Sequence, residues 1–208
     1  MRPTIILASA SPHRRELLHA LGLSYTVSPS AVDETLRLGE PPTAEVRRLA
    51  TAKALAQEAR EGDVAIAADT LVVLGETVLG KPATPEQASD MLRRLRGREH
   101  RVVTGVALIN HGDVCSDVRV TRVVMREYSD EEIAAYVATG EPLDKAGGYA
   151  IQDPILRPAQ WVDGCYCNVV GLPAGLLVSM LRSTGYPVGD VRPLAQCAGC
   201  PDWPLHAR

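Results

Sequence analysis

Amphipathic stretches alternate along the chain with short, continuous apolar runs. The amphipathic stretches predict helices, because apolar residues three and four positions apart lie on one helical face. Ser11 and Ser129 stand where two of these helices begin and supply N-caps, Pro12 follows as a first helical residue, and Gly22 closes the first helix. The predicted helices span residues 12–22, 43–60, 85–95, 130–140 and 173–183.

The continuous apolar runs predict strands. Residues 64–75 carry Asp69 and Thr70 in their middle, where we expect the strand to be broken. Residues 111–113, with the sequence HGD, predict a hairpin turn between the two longest runs. The predicted strands span 4–9, 64–75, 100–109 and 114–128. Because strands and helices alternate without a uniform period, we predict an α/β fold in which helices flank a mixed sheet.

Composition narrows the class of protein. The 208 residues are 46% hydrophobic and 23% charged, which matches a globular protein and excludes disorder as the main state. We expect a single domain over residues 1–190 and a Pro- and Cys-containing tail over 191–208. No apolar run approaches the roughly 20 residues of a membrane helix, and the start MRPTIILASASP is typical of a buried strand rather than a signal peptide. The net charge of −3 does not indicate the generally positive surface that binds nucleic acid. We therefore expect a cytoplasmic protein with no membrane or nucleic-acid partner.

Five cysteines without an export signal favour reduced thiols. Cys197 and Cys200 form a CAGC motif near the C-terminus. Three interpretations are open: a zinc site with His206 as the nearest further ligand, a redox pair, or a loosely packed tail. The proline-rich surroundings favour the last.

The segment SASPHRRELL combines hydroxyls, basic side chains and a helix start. Ser9, Ser11, His13 and Arg14 fall within one turn of the predicted N-terminus, where backbone amides point outward and favour phosphate. The alternative is a capped amphipathic helix whose arginines are solvated.

Two carboxylates are candidate metal ligands. Asp69 follows five apolar residues, so it needs a partner where the strand emerges from the core. Asp69 and Glu34 together can hold one Mg2+ that keeps several waters and bridges substrate phosphates. Capping or a salt bridge is the alternative that the pattern itself favours.

The chain has three lysines against nineteen arginines, and each lysine is a compact point charge suited to phosphate. Lys53 lies on a predicted helix, and Lys81 lies in a turn between a glycine and a proline. Lys145 and Gln152 stand on either side of a glycine pair. The glycines allow the backbone to approach a ligand closely, or they are present only because the backbone there adopts a left-handed conformation. Neither a P-loop nor a dinucleotide-binding glycine motif is present. His100 is typical of a histidine at a strand end whose hydrogen bonds are satisfied, rather than of a catalytic residue.

Taken in order, these segments resemble the Maf family of nucleoside triphosphate pyrophosphatases over residues 4–184. The matching elements are SASPHRRELL, Glu34, Lys53, AADTLV, GKP, HRVVTGVAL, DKAGGYAIQ and NVVGLP. The resemblance implies an elongated mixed sheet with a deep cleft, similar to the inosine triphosphatases. It also implies a divalent metal cofactor (Mg2+ or Mn2+), a homodimer, release of a nucleoside monophosphate and pyrophosphate, and a link to cell-division arrest.

The resemblance also implies roles for individual residues. Asp69 matches the catalytic acid–base position, and Glu34 its metal or water partner. The implied catalytic residues are Asp69, Glu34, Lys53 and Lys81, with Glu34 and Asp69 also holding the metal. The implied substrate-binding residues are Ser9, Ser11, His13, Arg14, Thr70, Lys145 and Gln152.

Three positions bear on the substrate base. Thr70 and Gln152 match the branch of the family that prefers dTTP and UTP, whereas His13 stands where that branch has arginine. We therefore expect dTTP and UTP as substrates. The alternatives are a pyrophosphatase for 7-methyl-GTP or other modified nucleotides, and a nucleotide-binding regulator of division without turnover.

Overall fold

The computed structural model describes residues 4–58, 60, 62–189, 191–197, 200 and 203. The helices within these ranges are α1 (Pro12–Ala20), α2 (Pro42–Leu55), α3 (Pro85–Leu95), α4 (Asp130–Ala138), α5 (Tyr166–Val170) and α6 (Ala174–Ser183). The strands are β1 (Ile5–Leu7), β2 (Tyr25–Val27), β3 (Val64–Leu74), β4 (Thr77–Leu79), β5 (Glu99–Asn110), β6 (Asp113–Met125) and β7 (Ala159–Asp163). In the described part of the chain, no helix combines the length and apolar character needed to cross a bilayer.

The strands form one mixed sheet in the order β2-β1-β3-β5-β6-β7, with β4 paired to β3. β1 is parallel to both β2 and β3, whereas the other pairs are antiparallel. β5 and β6 are joined by a tight turn in which His111 and Gly112 both have positive φ, as the twist of a two-residue hairpin requires. The predicted α/β fold with a mixed sheet flanked by helices is confirmed.

The structure corrects the predictions for β3 and α2 and adds short elements that were not predicted. β3 runs unbroken through Asp69 and Thr70, which pair with Gly105 and Thr104 of β5. A carboxylate is tolerated there because the ammonium of Lys53 neutralises it. α2 ends at Leu55 rather than residue 60. The short elements β2, β4, β7 and α5 were not predicted, since three to five residues give too little periodicity to recognise.

The alternation of side chains along β3 decides which helix each residue meets. Ala67 packs with Ala50 and Ala54 of α2, whereas Ile66 and Ala68 belong to the cluster that contains α1 and α6. Asp69 therefore shares the face of Ala67, toward α2, and Thr70 shares the face of Ala68, toward α1.

Close contact between α2 and the sheet depends on a glycine in β5. A Cβ at Gly105 would lie 2.4 Å from the carbonyl oxygen of Val46, a backbone atom that cannot move aside easily. The missing side chain thus lets α2 approach the middle of the sheet. This approach places Lys53, at the C-terminal end of α2, over β3.

The structure corrects the predicted loose tail, and it corrects the prediction of reduced thiols for Cys167 and Cys197. Val191, Cys197 and Trp203 are buried in the same cluster as α6. Cys197 forms a disulfide with Cys167 of α5, so the CAGC motif offers neither two thiolates for zinc nor an internal redox pair. The third candidate zinc ligand, His206, lies outside the described residues.

Candidate active site

One cleft of about 570 Å³ opens where the chain leaves β1 and crosses the middle of β3. Every residue that the sequence predicted for a site lines this cleft: Ser9, Ser11, His13, Arg14, Glu34, Lys53, Asp69, Thr70, Lys81, Lys145 and Gln152. The fold thus brings together residues that are up to 143 positions apart in the sequence, from Ser9 to Gln152.

Arg14 ties together one wall of the cleft. Its Nε donates to the carbonyl oxygen of Gly171 at 2.9 Å, and its two terminal nitrogens donate to Ser9 Oγ at 3.1 Å and Thr70 Oγ1 at 3.2 Å. Gly171 has φ of 115°, which favours glycine. The predicted alternative of solvated arginines does not hold for Arg14; it holds for its exposed neighbour Arg15.

The charge of Arg14 is balanced by nearby carboxylates. Burial lowers the pKa of the Arg14 guanidinium, and the charges of Asp69 and Glu34 oppose that shift. Ser11 caps α1 through a long contact of 3.5 Å from the Arg14 amide, and its own amide donates to Ser9 Oγ at 3.2 Å. The hydroxyl of Ser9 thus receives both a backbone and a guanidinium hydrogen.

Lys53 lies between the two predicted metal ligands. Its Nζ is 2.6 Å from Asp69 Oδ1 and 2.8 Å from Glu34 Oε1. The Lys53 and Asp69 side chains are 8% and 9% exposed, whereas Glu34 is 55% exposed. The salt bridge that the sequence pattern favoured is therefore present.

The same cluster leaves acceptors available. Asp69 Oδ2 is buried and has no hydrogen-bond partner in the described ranges. Burial raises the pKa of Glu34, but the hydrogen bond from Lys53 and the charges of Lys53, Lys81 and Arg14 outweigh it and lower that pKa overall. Asp69 and Glu34 both line the cleft, together with the cations Arg14, Lys53 and Lys81.

The loop that carries Glu34 is anchored by an ion pair on α2. Arg48 donates to both oxygens of Glu45, at 2.8 and 2.7 Å, and also to the carbonyl oxygen of Thr35 at 3.0 Å. The amide of Arg37 donates to Glu45 Oε2 at 2.9 Å. The Arg48 hydrogen bonds are the main cause that lowers the pKa of Glu45 to about 2, against the opposing effect of burial. These contacts fix the loop immediately after Glu34.

The opposite wall comes from the segment after α4. Lys145 Nζ donates to Asp144 Oδ1 at 2.6 Å and to Glu141 Oε2 at 2.9 Å. Burial lowers the pKa of Lys145, but these two carboxylates outweigh it and raise the pKa. Gly147, with φ of 71°, donates its amide to the Gly80 carbonyl at 2.9 Å and so holds the turn that carries the exposed Lys81.

His13 and Gln152 meet across the mouth of the cleft. Gln152 Nε2 lies 3.2 Å from both ring nitrogens of His13, and Glu16 Oε2 lies 3.2 Å from His13 Nδ1. The residue that departs from the family pattern therefore contacts the residue predicted to bind the base.

A buried hydrogen-bond network behind Thr70 could not be predicted from the sequence pattern. Thr70 Oγ1 and Thr104 Oγ1 are 3.0 Å apart, and Thr104 donates to the carbonyl oxygen of Asn168 at 3.0 Å. The Asn168 side chain, fully buried, donates to the Val102 carbonyl and to Thr121 Oγ1. Asn168 belongs to the NVVGLP segment that carries the resemblance, and that segment is the only sequence signal for it.

His100 does not line the cleft. Its Nε2 lies 2.7 Å from the hydroxyl of Tyr149, and burial lowers the pKa of His100 to about 4. The position at the start of β5 agrees with the predicted strand end, but the histidine is hydrogen-bonded only through Nε2, because Nδ1 is buried without a partner among the described residues.

The chain is similar to curated proteins over most of its length. It is 51% identical over 203 residues to a dTTP/UTP pyrophosphatase of Thermomicrobium roseum, covering 95% of this chain and 93% of that one. Proteins of the same name from Anaeromyxobacter dehalogenans and Pelotomaculum thermopropionicum are 47% and 46% identical. Those matches cover 90% and 88% of this chain, and 97% and 98% of the relatives.

A solved HAM1 protein from Coxiella burnetii has a TM-score of 0.47 and 16% identity to the chain, over 87% of this chain and 99% of that one. The family model described as Maf-like protein matches residues 4–184, which include the strands, the helices and every residue that lines the cleft. The chain belongs to the Maf-like protein family.

Proposed function

We propose that the protein hydrolyses dTTP and UTP to the nucleoside monophosphate and pyrophosphate. The observation that carries this proposal is the buried Lys53–Asp69 pair, with Glu34 on the same ammonium, inside a cleft lined by further cations. A nucleoside triphosphate carries about four negative charges at neutral pH, and Arg14, Lys81 and Lys145 line the space that would receive them. The names of the relatives support the same reaction.

A divalent cation fits this donor set. Asp69 Oδ2 is buried without a partner among the described residues, and Glu34 supplies a second carboxylate nearby. In the described ranges no group of three or more His, Cys, Asp or Glu side chains assembles. Mg2+ commonly takes one or two carboxylates together with waters and substrate phosphates, so two ligands are enough. When bound, the ion would lower the pKa of a water and offset charge on the phosphates.

Asp69 accepts the proton in this proposal. Lys53 occupies Oδ1, so Oδ2 is the atom that takes a proton from water, and Glu34 is the carboxylate that would hold the cation during that step. The water oxygen then bonds to the α-phosphorus, the bond from that phosphorus to the bridging oxygen breaks, and pyrophosphate leaves. Lys53 and Arg14 hold the attacked end of the triphosphate within reach of Asp69, because both are fixed by hydrogen bonds to the cleft wall.

Gln152 binds the base in this proposal. Its amide carries both a donor and an acceptor, which matches the N3–H and O4 edge of uracil or thymine. A site built from such hydrogen bonds rejects a mismatched base more strongly than shape alone does. Homodimerisation, a cytoplasmic location, the absence of nucleic-acid binding and a role in cell division stay predictions.

Pyrophosphate release from a panel of canonical and modified triphosphates, with Mg2+ or Mn2+, tests the function. We expect pyrophosphate release to be faster from dTTP and UTP than from the other nucleotides. If release is fastest from 7-methyl-GTP or another modified nucleotide, that nucleotide replaces dTTP and UTP as the assigned substrate. Binding of dTTP without any pyrophosphate release would favour the non-catalytic regulator instead.

A further inference from the structure

The guanidinium of Arg14 is held by the cleft wall and still has hydrogens to offer. A guanidinium carries five N–H groups. The Nε–H goes to the Gly171 carbonyl, and one hydrogen of each terminal nitrogen goes to Ser9 Oγ and to Thr70 Oγ1. One hydrogen on each terminal nitrogen is left, and both suit an acceptor such as a phosphate oxygen. Their direction depends on the groups that hold the other three.

The hydroxyl of Thr70 has a single hydrogen, and Thr104 settles where it points. The two residues are directly paired across β3 and β5, with their Oγ1 atoms 3.0 Å apart. Thr104 Oγ1 also lies 3.0 Å from the carbonyl oxygen of Asn168, which can only accept, so the Thr104 hydrogen goes to that carbonyl. Thr104 Oγ1 therefore accepts from Thr70, and the Thr70 hydroxyl is the donor of this pair.

This direction leaves only lone pairs of Thr70 Oγ1 toward the guanidinium. A guanidinium can only donate, so Arg14 and Thr70 match because the Thr70 hydrogen is turned away toward Thr104. Ionised phosphate oxygens can only accept, so Thr70 has no hydrogen left for them. Thr70 therefore acts on a triphosphate through Arg14 rather than by donating to it.

We propose that Thr104 is a positioning residue that holds Arg14 for the triphosphate by fixing the direction of the Thr70 hydroxyl. This inference rests on the proposed function, since it concerns how the same cleft binds its substrate. Thr104 is fully buried and does not line the cleft, so it acts through Thr70 and Arg14. The helix α5 and its C-cap supply both anchors, the Asn168 carbonyl for Thr104 and the Gly171 carbonyl for Arg14.

The test compares Thr104→Val, which keeps the shape but loses the hydroxyl, with Thr104→Ser, which keeps the hydroxyl. Steady-state kinetics with dTTP give KM and kcat. We expect Thr104→Val to raise KM about fivefold, the effect of about one hydrogen bond, with kcat nearly unchanged. The reason is that the freed Thr70 hydrogen can turn toward Arg14 and oppose it. Thr104→Ser should keep the wild-type KM.

A purely structural role of Thr104 would give a different result, because a smaller folded fraction lowers the apparent kcat and leaves KM as it is. Thr121→Val is the matched control. Thr121 is an equally buried threonine, and its hydroxyl bonds to Cys165 and to the Asn168 side chain rather than to Thr70. This variant should lose stability in urea as Thr104→Val does, yet keep the wild-type KM.

A double variant tests the route through Thr70. Once Thr70→Val has removed that hydroxyl, adding Thr104→Val should not raise KM further, because no hydrogen remains to be directed. If Thr104→Val does not fold, Thr104→Ala removes the same hydroxyl with a smaller side chain and takes its place in every comparison.

Three results would each overturn the inference alone: a wild-type KM in the folded Thr104 variant without a hydroxyl, an equal rise in Thr104→Ser or Thr121→Val, or additive rises with Thr70→Val. Absence of pyrophosphate release from dTTP by the wild-type protein would overturn the proposed function and the inference with it.

Discussion

Lys53 of α2 and Asp69 of β3 form a buried ion pair, with 2.6 Å between Nζ and Oδ1. The pair joins α2 to the middle of the sheet, in the part of the cleft that Glu34 also lines. Two buried charges in contact offset each other's loss of hydration, whereas a single one left behind does not. The pair therefore matters to stability as well as to chemistry.

Replacing Lys53 with methionine should destabilise the protein strongly. Lys53→Met leaves the Asp69 carboxylate buried without its ammonium, a change that typically costs about 3–5 kcal/mol in the free energy of unfolding. Glu34→Gln removes the exposed partner of the same lysine and should cost less than about 1 kcal/mol. Urea unfolding at pH 7 measures both variants, and equal losses would contradict the buried-pair interpretation.

A Gln152→Glu substitution tests the role of the amide in binding the base. A carboxylate lacks the N–H that donates to O4 of thymine, so dTTP hydrolysis should fall relative to 7-methyl-GTP hydrolysis. The measurement is the ratio of kcat/KM for the two nucleotides. Gln160→Glu, on the exposed face of β7, makes the same chemical change outside the cleft and should leave the ratio as it is. An unchanged ratio in Gln152→Glu would count against this role.

His100 should make the protein less stable in mild acid. Burial lowers its folded-state pKa to about 4, below the unfolded value of about 6.5. Between these values the unfolded state binds more protons, so its contribution is complete above about pH 6.5 and is lost as the pH falls toward 4. The free energy of unfolding should drop by up to about 1.4 kcal/mol per pH unit in this window.

Urea unfolding at pH 7 and pH 5 measures this effect of His100. His100→Gln removes the titrating group and keeps a polar atom for Tyr149, so the variant should lose less stability than the wild type between the two pH values. His19→Gln, an exposed histidine on α1, should behave as the wild type. The same pH dependence in all three proteins would show that His100 does not contribute.

The disulfide between Cys167 and Cys197 should stabilise the fold. It closes a loop with a sequence separation of 30, for which the chain-entropy model gives about 3–4 kcal/mol. Cys197→Ser, or reduction with dithiothreitol, should lower the free energy of unfolding by about that amount. Cys115→Ser, at a free and partly exposed cysteine, should not. Alkylation of all five cysteines in the unreduced, unfolded protein would rule the disulfide out.

Much of this architecture could be predicted from local pattern. The caps at Ser11 and Ser129 mark where two helices begin, because each depends on residues within one turn. The eleven candidate site residues also line one cleft. They could be predicted as one site because the motifs that carry them occur in the same order as in the family that the chain resembles.

What could not be predicted depends on contacts between distant segments. Nothing near Asp69 indicates that Lys53, sixteen residues earlier, neutralises it and lets β3 continue. The contact between Arg14 and the carbonyl of Gly171 spans 157 residues. The pairing of Cys197 with Cys167 rather than with a partner in its own motif is likewise a property of the packed core.

In the proposed mechanism, the cleft splits the bond between the α- and β-phosphates with Asp69 as the proton acceptor. Hydrolysis of dTTP in H2(18)O, with wild type and Asp69→Asn compared at equal fold content by circular dichroism, tests it directly. We predict 18O in the monophosphate, and turnover lowered by about 10²–10⁴ in Asp69→Asn, which keeps its fold because Lys53 still pairs with Glu34. Label in the pyrophosphate, or full activity of Asp69→Asn, would contradict the account.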